Sequence, residues 1–257
     1  MRLDAFLFSQ KKYVSRTKAA EAVEKGYVSV NGKLITKPSY AVSDIDEISV
    51  TENDEFVSNG GYKLEKAFED FGFPAVNLVF ADVGASTGGF TDCLLRRGAK
   101  KVYALDIGES QLSEKIADDE RVVVIDNFNA REMKVSTFGE PLDGVTCDVS
   151  FISLTYVLKP ISDILKNDGF AVVLLKPQFE CGKKELNKNG IVTNPKAKID
   201  CALKIKNYAI SVGLTPIAFT NAPIRSGKNT EYLFYLKKRN ENAVSDGEII
   251  KTIQKST

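Results

Sequence analysis

Short, nearly continuous apolar runs recur along the C-terminal three quarters of the chain, separated by stretches in which apolar residues return every three or four positions. Continuous runs are typical of strands buried on both faces of a parallel sheet, and the 3.6-residue period is typical of helices packed against it. The pattern predicts seven strands, at 78–83, 101–107, 121–126, 144–151, 170–176, 215–224 and 231–238. The main helices are predicted at 87–97, 154–166 and 195–212.

The last two predicted strands are joined only by the turn "RSGKN", with no helix between them, so they should pair antiparallel. The other strands alternate with helices, which favours parallel crossovers. The sequence therefore predicts a doubly wound α/β domain with a seven-stranded sheet and an antiparallel closing hairpin.

The chain divides into four segments by pattern. Residues 1–50 predict a small α+β domain, and residues 51–61, "TENDEFVSNGG", are polar and acidic and predict a linker. The α/β domain spans residues 62–239. Residues 240–257 predict a polar C-terminal tail that contains one weakly amphipathic piece, "GEIIKTIQK".

Composition narrows the possible chemistry. The 257 residues include no histidine, which excludes Ser-His-Asp and Cys-His catalysis and every His-ligated metal site. Four cysteines show no C-x-x-C pairing, so neither structural zinc nor a disulfide scaffold is predicted, and no metal is expected. The longest apolar run, "FAVVLL", is too short to span a membrane, and no leader is visible. We expect a soluble cytoplasmic protein with no membrane partner.

Net charge is near zero, with 35 basic and 34 acidic side chains, but its distribution is uneven. Residues 1–40 hold eight Lys/Arg against three Asp/Glu, and residues 176–239 hold thirteen against four. Two basic zones suggest a polyanionic partner that contacts both. Solvated lysine-rich faces explain the charge equally well.

The loop "ADVGASTGGF" joins the first predicted strand of the large domain to a helix. It fails the G-x-G-x-x-G fingerprint because Ser86 stands at the second glycine, and it lacks the G-K-[ST] of a phosphate-binding P-loop. What remains resembles the first motif of S-adenosylmethionine (SAM) methyltransferases, in which glycines let the cofactor lie against bare main chain. An ordinary strand-to-helix turn is the alternative. The candidate cofactor-binding residues in this loop are Asp82, Gly84, Ser86, Thr87, Gly88, Gly89 and Phe90.

Acidic residues also end the next two predicted strands. Asp106 follows the second strand, about 20 residues after the loop, at the position where an acid accepts hydrogen bonds from a ribose diol. Asp126 and Asn127 end the third strand, where an adenine would be recognised. Each acid alone fits a helix cap or a solvated turn, but the three together favour a SAM site.

Four further residues fall at the same predicted sheet edge: Lys63, Asp148, Lys176 and Glu231. Here the chain resembles the FtsJ-like ribose 2′-O-methyltransferases, whose Lys-Asp-Lys-Glu tetrad occurs in this order. The resemblance implies that Lys176 is the base or orienting group and that Lys63 stabilises developing alkoxide charge. The carboxylates of Asp148 and Glu231 would hold the two lysines in position. A neighbouring ammonium lowers a lysine pKa and the carboxylates raise it, so the protonation state stays open.

Two other methyl acceptors fit less well. Amino-methylating enzymes of this fold commonly carry (N/D)-P-P-(Y/F) after the fourth strand, where this chain has "DVSFIS". Cysteine-dependent C5 methylation needs a nucleophilic thiol at this edge. Cys147 precedes Asp148 within a strand, so its side chain should point to the opposite face.

The first forty residues resemble the RNA-binding domain named after ribosomal protein S-four, through "RLD", "SRTKAAEAVEKGYVSVNGK" and "KPS". Ser15 should cap a helix whose N-terminus is basic, and the "VNGK" turn should present a lysine. Backbone and shape contacts with RNA are expected rather than stacking. A helix-hairpin module with a merely solvated basic face is the alternative. The candidate RNA-binding residues of the whole chain are Arg2, Arg16, Lys18, Lys33, Lys37, Arg225 and Lys228.

The two resemblances in this order point to the TlyA family, also called hemolysin A. They imply a Rossmann-like fold and SAM-dependent methylation of a cytidine ribose 2′-hydroxyl in 23S rRNA, and in some members 16S rRNA, within ribosomal subunits. One departure is Asn59, where the family usually has arginine. The start of the chain at the RNA-binding module suggests the large-subunit class, although the tail blurs this.

Two alternatives from other classes remain. One is a non-catalytic RNA-binding ribosome-assembly factor, and the other is a membrane-active hemolysin. Measurable SAM binding would distinguish a methyltransferase from the assembly factor. A hemolysin would need a secretion signal or an amphipathic membrane segment. A monomer or weak dimer is expected.

Overall fold

A computed structural model describes residues 1–13, 15–50, 55–109, 111–224, 227–239 and 241–256. The chain forms two compact units, one up to Glu55 and the other from Phe56 onward.

The first unit is a small α+β domain, as predicted. Helices α1 (Leu3–Ser9) and α2 (Arg16–Glu24) pack against strands β1 (Val28–Val30), β2 (Lys33–Leu34) and β3 (Ile48–Val50), which form an antiparallel sheet of order β2-β1-β3. The hydroxyl of Ser15 accepts a hydrogen bond from the backbone N–H of Lys18, so the predicted N-cap is present. Asn31 and Gly32 have positive φ, which suits the two-residue turn between β1 and β2.

The second unit contains a seven-stranded sheet of order β6-β5-β4-β7-β8-β10-β9. Its strands are β4 (Val79–Val83), β5 (Lys101–Leu105), β6 (Val122–Ile125), β7 (Leu142–Cys147), β8 (Leu165–Leu175), β9 (Thr215–Asn221) and β10 (Tyr232–Lys237). Strands β4 to β8 are parallel, and β10 is antiparallel to both β8 and β9. The predicted α/β sheet and its closing hairpin are confirmed. The start of β10 therefore lies at the edge where the parallel strands end.

Helices cover both faces of this sheet. They are α3 (Asn59–Phe71), α4 (Gly89–Arg96), α5 (Glu114–Ala117), α6 (Val135–Phe138), α7 (Leu158–Ile164), α8 (Pro177–Glu180), α9 (Pro195–Ser211) and α10 (Asp246–Lys255), with short 3₁₀ turns at Ala130–Glu132, Leu154–Tyr156 and Lys183–Glu185. Two separate hydrophobic clusters lie against the two faces, so the strands are apolar on both sides.

The helix predicted at 154–166 is shorter and divided. A 3₁₀ turn at Leu154–Tyr156 precedes α7, and β8 already begins at Leu165. Pro160 explains the break, because proline lacks an N–H and is tolerated in the first turn of a helix but not in its interior.

The unit boundaries also differ from the predicted ones. Helix α3 begins at Asn59, inside the predicted 51–61 linker, and the ring of Phe56 packs edge-on against Tyr62 with centroids 5.1 Å apart. The segment predicted as a tail, 240–257, carries α10, whose Ile249 and Ile253 are fully buried in the core. These two isoleucines, four residues apart, lie in the weakly amphipathic piece "GEIIKTIQK" and form its buried apolar stripe.

Candidate active site

The glycine-rich loop connects β4 to α4 through three residues with positive φ. Gly84 has φ of 82°, Ser86 48° and Gly88 94°, and the Gly88 N–H donates to the Ala85 carbonyl at 2.8 Å. Glycine adopts such angles without strain, which suits Gly84 and Gly88, whereas Ser86 holds its positive φ without that freedom. The chain therefore turns sharply at the carboxyl edge of the sheet, next to the ends of β5 and β7.

The loop glycines are needed for close packing within the protein. A Cβ at Gly84 would lie 2.8 Å from the carbonyl oxygen of Asp148, and one at Gly89 would lie 2.2 Å from Ser58 Oγ and 2.8 Å from the Gly61 nitrogen. A Cβ at Gly88 would lie 2.8 Å from Leu112 Cδ1. The loop backbone, which is expected to face a ligand, therefore also packs closely against the residue that follows β7 and against the start of α3.

Asp82 does not lie in the cleft. Its side chain is fully buried, and its two oxygens accept hydrogen bonds from the hydroxyls of Thr91 at 2.7 Å and Thr146 at 3.1 Å. Burial raises the pKa of Asp82 to about 7, although both hydroxyls oppose the shift. The prediction that this side chain contacts the cofactor is corrected: Asp82 ties β4 to α4 and β7 from behind the loop.

The other predicted cofactor residues lie along the rim at successive strand ends. Asp106 Oδ2 accepts from the backbone N–H of Ser86 at 2.8 Å, and Oδ1 accepts from the Gly108 N–H at 3.0 Å. The exposed Asn127, with φ of 56°, donates its backbone N–H to the Gly108 carbonyl at 3.2 Å. Asp126 is half-buried beside it. The ends of β4, β5 and β6 are thereby joined into one continuous edge.

The four tetrad residues come together at the same edge. Lys63 Nζ, from the first turns of α3, lies 2.8 Å from Glu231 Oε2 and 3.4 Å from Asp148 Oδ2. Lys176 Nζ, at the end of β8, lies 2.6 Å from Asp148 Oδ1. Asp148 thus lies between two lysines that are 85 and 28 residues away along the chain. The side chains of Lys63 and Lys176 are only 18% and 9% exposed.

The charges around Lys63 favour its protonated form. Burial lowers the pKa of Lys63, but the carboxylates of Asp148 and Glu231 together outweigh burial and hold that pKa above its ordinary value. Lys63 is therefore an ammonium at neutral pH, which suits a group that stabilises negative charge.

Ser150 is a polar contact of the tetrad that the sequence did not reveal. Its exposed hydroxyl lies 2.7 Å from Lys176 Nζ and accepts a hydrogen bond from it. Cys147, the rival nucleophile, is fully buried, and burial raises its pKa to about 12, which disfavours the reactive thiolate.

A cleft of about 250 Å³ joins the glycine loop to the tetrad. Its lining combines small polar residues and backbone: Ser58, Asn59, Gly60, Gly84, Ala85, Ser86, Thr87, Gly89, Phe90, Asp148, Ser150 and Lys176. Ser58, Asn59 and Gly60 were not assigned to the cofactor site from sequence; they reach the cleft because the glycines let the start of α3 approach α4. The cleft and the adjoining rim fit a polar cofactor with ribose and amino-acid parts.

An aromatic surface adjoins the tetrad and was also missed. Phe151 is 90% exposed at φ of 63°, a conformation rare for a bulky residue. Its ring lies 5.0 Å from that of Phe179, and Tyr156, 60% exposed, stacks under the guanidinium of Arg131 at 5.5 Å. The sequence placed Phe151 in the fourth strand of the large domain, but that strand, β7, ends at Cys147.

In the first unit, Arg2 and Arg16 both contact Asp4, at 2.9 and 3.3 Å. Lys18 pairs with Glu21 at 2.8 Å. The predicted RNA contacts Arg2, Arg16, Lys18, Lys33 and Lys37 are all exposed. Of the two candidates in the "RSGKN" turn, Lys228 is exposed, and Arg225 lies outside the described residues.

The strand order, the closing hairpin and the glycine loop define a Rossmann-like SAM methyltransferase. Residues 56–239 match the FtsJ-like methyltransferase family, and residues 1–48 match the S4 domain. The chain belongs to the FtsJ-like methyltransferase family, and its cofactor is SAM.

Curated relatives align over almost the whole chain. The chain is 44% identical to hemolysin A of Brachyspira hyodysenteriae over 91% of its own length and 98% of the relative's. It is 36% identical to the 16S/23S rRNA (cytidine-2′-O)-methyltransferase TlyA of Mycobacterium tuberculosis, over 95% and 92% of the two chains. It is also 30% identical to the 23S rRNA (cytidine-2′-O)-methyltransferase TlyA of Campylobacter jejuni, over 93% and 100%.

Among solved structures, a protein described as a hemolysin from Streptococcus thermophilus superposes with a TM-score of 0.75 at 33% identity, covering 100% of this chain and 95% of the other. A second, from Lactococcus lactis, has a TM-score of 0.75 at 40% identity, covering 79% and 99%. Within the described ranges, no helix is long and apolar enough to cross a membrane.

Proposed function

We propose that this protein transfers the methyl group of SAM to the 2′-hydroxyl of a cytidine ribose in ribosomal RNA. The observation that carries the proposal is the position of Asp148 between Lys63 and Lys176, at the mouth of the cleft that contains the glycine loop. The names of the Mycobacterium and Campylobacter relatives support ribosomal RNA as the substrate. The S4 domain supports RNA as the partner.

A ribose hydroxyl is a weak nucleophile, so the site must supply both a proton acceptor and a positive charge. SAM supplies, when bound, a sulfonium methyl carbon that is open to attack. In the proposed reaction the hydroxyl proton would pass to Lys176 Nζ as the oxygen–carbon bond forms and the bond between that carbon and the sulfonium sulfur breaks, with the neutral thioether as leaving group. Asp148 and Ser150, at 2.6 and 2.7 Å, then stabilise the resulting ammonium. Lys63 stabilises the negative charge that develops on the ribose oxygen.

The groups that hold the cofactor are proposed from the same geometry. The backbone of the glycine loop, with Ser86, Thr87 and the start of α3 at Ser58 and Asn59, would bind the amino-acid part of the cofactor. The rim formed by Asp106, Asp126 and Asn127 would bind its nucleoside, since carboxylate oxygens accept hydrogen bonds from a ribose diol.

The aromatic surface beside the tetrad suits an RNA substrate. Sequence-selective enzymes that act on RNA turn the target nucleotide out of its helix and stack the base on aromatic side chains. Phe151 and Tyr156 have exposed rings that line one hollow with Phe179, and the ring of Phe179 lies 5.9 Å from Lys176 Nζ, so they offer such a surface near the tetrad. We propose that the target base stacks here while its ribose faces the tetrad.

The finer assignments are also proposals. Ribosomal subunits in the cytoplasm are the proposed substrate, and Arg2, Arg16, Lys18, Lys33, Lys37 and Lys228 are the proposed phosphate contacts. Asn59, in place of the arginine usual in the family, offers an amide rather than a charge at the cleft, which would weaken any phosphate contact there.

The test is methyl transfer from labelled SAM to purified ribosomal subunits that lack the modification, followed by mapping of the labelled nucleotide. Wild type, Lys63→Ala and Lys176→Ala are compared. Two matched lysine variants serve as controls: Lys66→Ala, on the same helix as Lys63 but paired with Asp70, and Lys166→Ala, at the opposite end of β8 and paired with Asp143.

The expected result is label on a ribose 2′ oxygen with wild type and both controls, and loss of label with both tetrad variants while SAM binding by calorimetry is retained. Label on a base would overturn the tetrad assignment. SAM binding without label on either subunit or on free rRNA would exclude ribosomal RNA as the substrate. Absence of SAM binding would favour a non-catalytic assembly factor.

A further inference from the structure

A compact hairpin stands between α8 and α9, at the same edge of the sheet as the tetrad. Leu186 and Val192 form an isolated antiparallel bridge, and Asn187 closes the turn between them. Its side-chain Oδ1 accepts from the backbone N–H groups of Asn189 at 2.8 Å and Ile191 at 3.0 Å. We call residues 186–192 the rim hairpin. Within the described residues, its backbone hydrogen bonds and its single bridge join the hairpin to itself and to the 3₁₀ turn just before it, so its position depends on side-chain contacts with neighbouring segments.

Asn229 supplies such a contact from the segment that leads into β10. Its Oδ1 accepts from the backbone N–H of Val192 at 2.8 Å, and its Nδ2 donates to the backbone carbonyl of Gly190 at 2.9 Å. One amide side chain therefore satisfies a donor and an acceptor on the hairpin, much as a neighbouring strand would. Val192 is 1% exposed, so losing this contact would leave a buried N–H without its partner.

The same segment carries a tetrad residue. Asn229 precedes Glu231 by two positions, and Glu231 accepts from Lys63 Nζ at 2.8 Å. The backbone carbonyl of Glu231 is fixed from the other side, since it accepts from the Ala222 N–H at 2.9 Å. The rim hairpin and the tetrad carboxylate are thus held by one short stretch of chain.

Positive charge is concentrated on the rim hairpin, on the residues just before it and on the segment that carries Asn229. Lys184, Lys188 and Lys228 are exposed and form no ion pair within the part of the chain that the structure describes. Exposed lysines beside a reaction centre attract a polyanion by charge alone, without base selectivity.

We infer that Asn229 is a positioning residue that locks the rim hairpin beside the tetrad and so aligns the RNA strand that flanks the target nucleotide. This inference rests on the proposed function. Asn229 touches neither cofactor nor reacting atoms; it acts through the hairpin. Its loss therefore weakens productive docking of RNA and leaves the cofactor cleft intact.

The experiment compares wild type, Asn229→Ala, Asn229→Asp and the control Asn189→Ala in steady-state methylation of ribosomal subunits, with SAM affinity and thermal unfolding measured for each. The side chain of Asn189, on the same hairpin, makes no hydrogen bond within the described residues. We expect Asn229→Ala to raise KM for subunits about tenfold, through the loss of two hydrogen bonds and the release of the hairpin. KM for SAM should not change.

Asn229→Asp keeps the acceptor for Val192 but cannot donate to Gly190, so its KM should lie between those of Asn229→Ala and wild type. If wild type is active, the proposed function stands. An unchanged KM for subunits in Asn229→Ala would then overturn the inference about Asn229 alone. Equal losses of unfolding temperature, SAM affinity and activity would also overturn it, because they indicate general destabilisation. Inactive wild type would instead reject the proposed function itself.

Discussion

An aspartate lies between two cations in each of the two units. In the first unit Asp4 contacts Arg2 at 2.9 Å and Arg16 at 3.3 Å. Its carboxylate is almost fully buried, while both arginine side chains are about half exposed, at 51% and 52%. Here the anion is hidden and the cations face solvent.

In the second unit Asp148 contacts Lys176 at 2.6 Å and Lys63 at 3.4 Å. Both lysines are more buried than the arginines, and Asp148 remains 18% exposed. A guanidinium stays protonated in proteins and presents a flat fork of donors, whereas an amine can exchange its proton. This difference fits the proposed roles, in which the arginines of the first cluster contact a phosphate and Lys176 of the second accepts a proton.

The substitution with the largest expected effect on this contrast is Lys176→Arg. The substitution keeps the positive charge next to Asp148 but removes a group that can accept a proton. We expect kcat to fall about 100-fold or more, as is typical for loss of a general base, with SAM affinity retained. Single-turnover methylation of ribosomal subunits measures this. Arg16→Lys is the reciprocal control and should keep kcat; activity of Lys176→Arg near wild type would exclude proton transfer to Lys176.

The arginine cluster should instead govern RNA affinity and its dependence on salt. Replacing Arg2 with alanine should weaken subunit binding about fivefold and lower the slope of log affinity against log salt by about one. Filter binding over a salt series gives both quantities. Lys63→Ala should leave that slope unchanged, and a slope that drops equally in both variants would erase the distinction between the clusters.

Asp4 should contribute to stability in a pH-dependent way. The hydrogen bond from Arg2, with further bonds from Arg16 and the Ala5 N–H, lowers the pKa of Asp4 to about 2. Because the folded pKa lies below the unfolded one, the contribution is present above pH ~4 and is lost as pH falls towards 2. Asp4→Asn should cost about 1 kcal/mol at pH 7, after allowance for screening at the exposed arginines.

Hydrogen exchange of the α1 and α2 amides in the full-length chain measures that cost. Protection should differ between wild type and Asp4→Asn at pH 7, and the difference should shrink at pH 3. A difference that is independent of pH would mean that the carboxylate charge is not the cause.

The smallest expected effect is at Ser150. Removing its hydroxyl leaves Lys176 with one polar partner, Asp148, among the described residues, so we expect kcat to fall about threefold in Ser150→Ala, the low end for one hydrogen bond because this one is exposed. Ser150→Thr should restore the rate. Steady-state methylation compares the variants, and a loss as large as that of Lys176→Arg would assign the hydroxyl a direct part in the reaction.

The sheet was predictable because each of its strands carries its own apolar signal. The tetrad followed from family order, and the topology brings Lys63, Asp148, Lys176 and Glu231 to one edge. Contacts that depend on packing between distant segments were not predictable. Ser58 reaches the cleft only because α3 approaches Gly89, and Asp82 turned away from the cleft because Thr91 and Thr146 bind it from two other elements.

The position of Phe151 and the burial of α10 in the core were not predicted, for opposite reasons. Phe151 continues an apolar run, but the strand stops at Cys147 and the next residues turn with positive φ at the phenylalanine. Helix α10 contributes two fully buried isoleucines from a polar segment. Their burial depends on packing against α9 and β9, two segments that lie earlier in the chain.

The contact between Gly89 and the start of α3 makes the accuracy of the reaction centre depend on a residue that carries no functional group. Ser58 Oγ and the Gly61 nitrogen leave no room for a single methyl at Gly89, and Lys63 lies two residues beyond Gly61 on the same helix. Any side chain there would push the helix, and the ammonium it carries, away from the carboxylates. A screen for disabling mutations would therefore recover this glycine together with the charged residues.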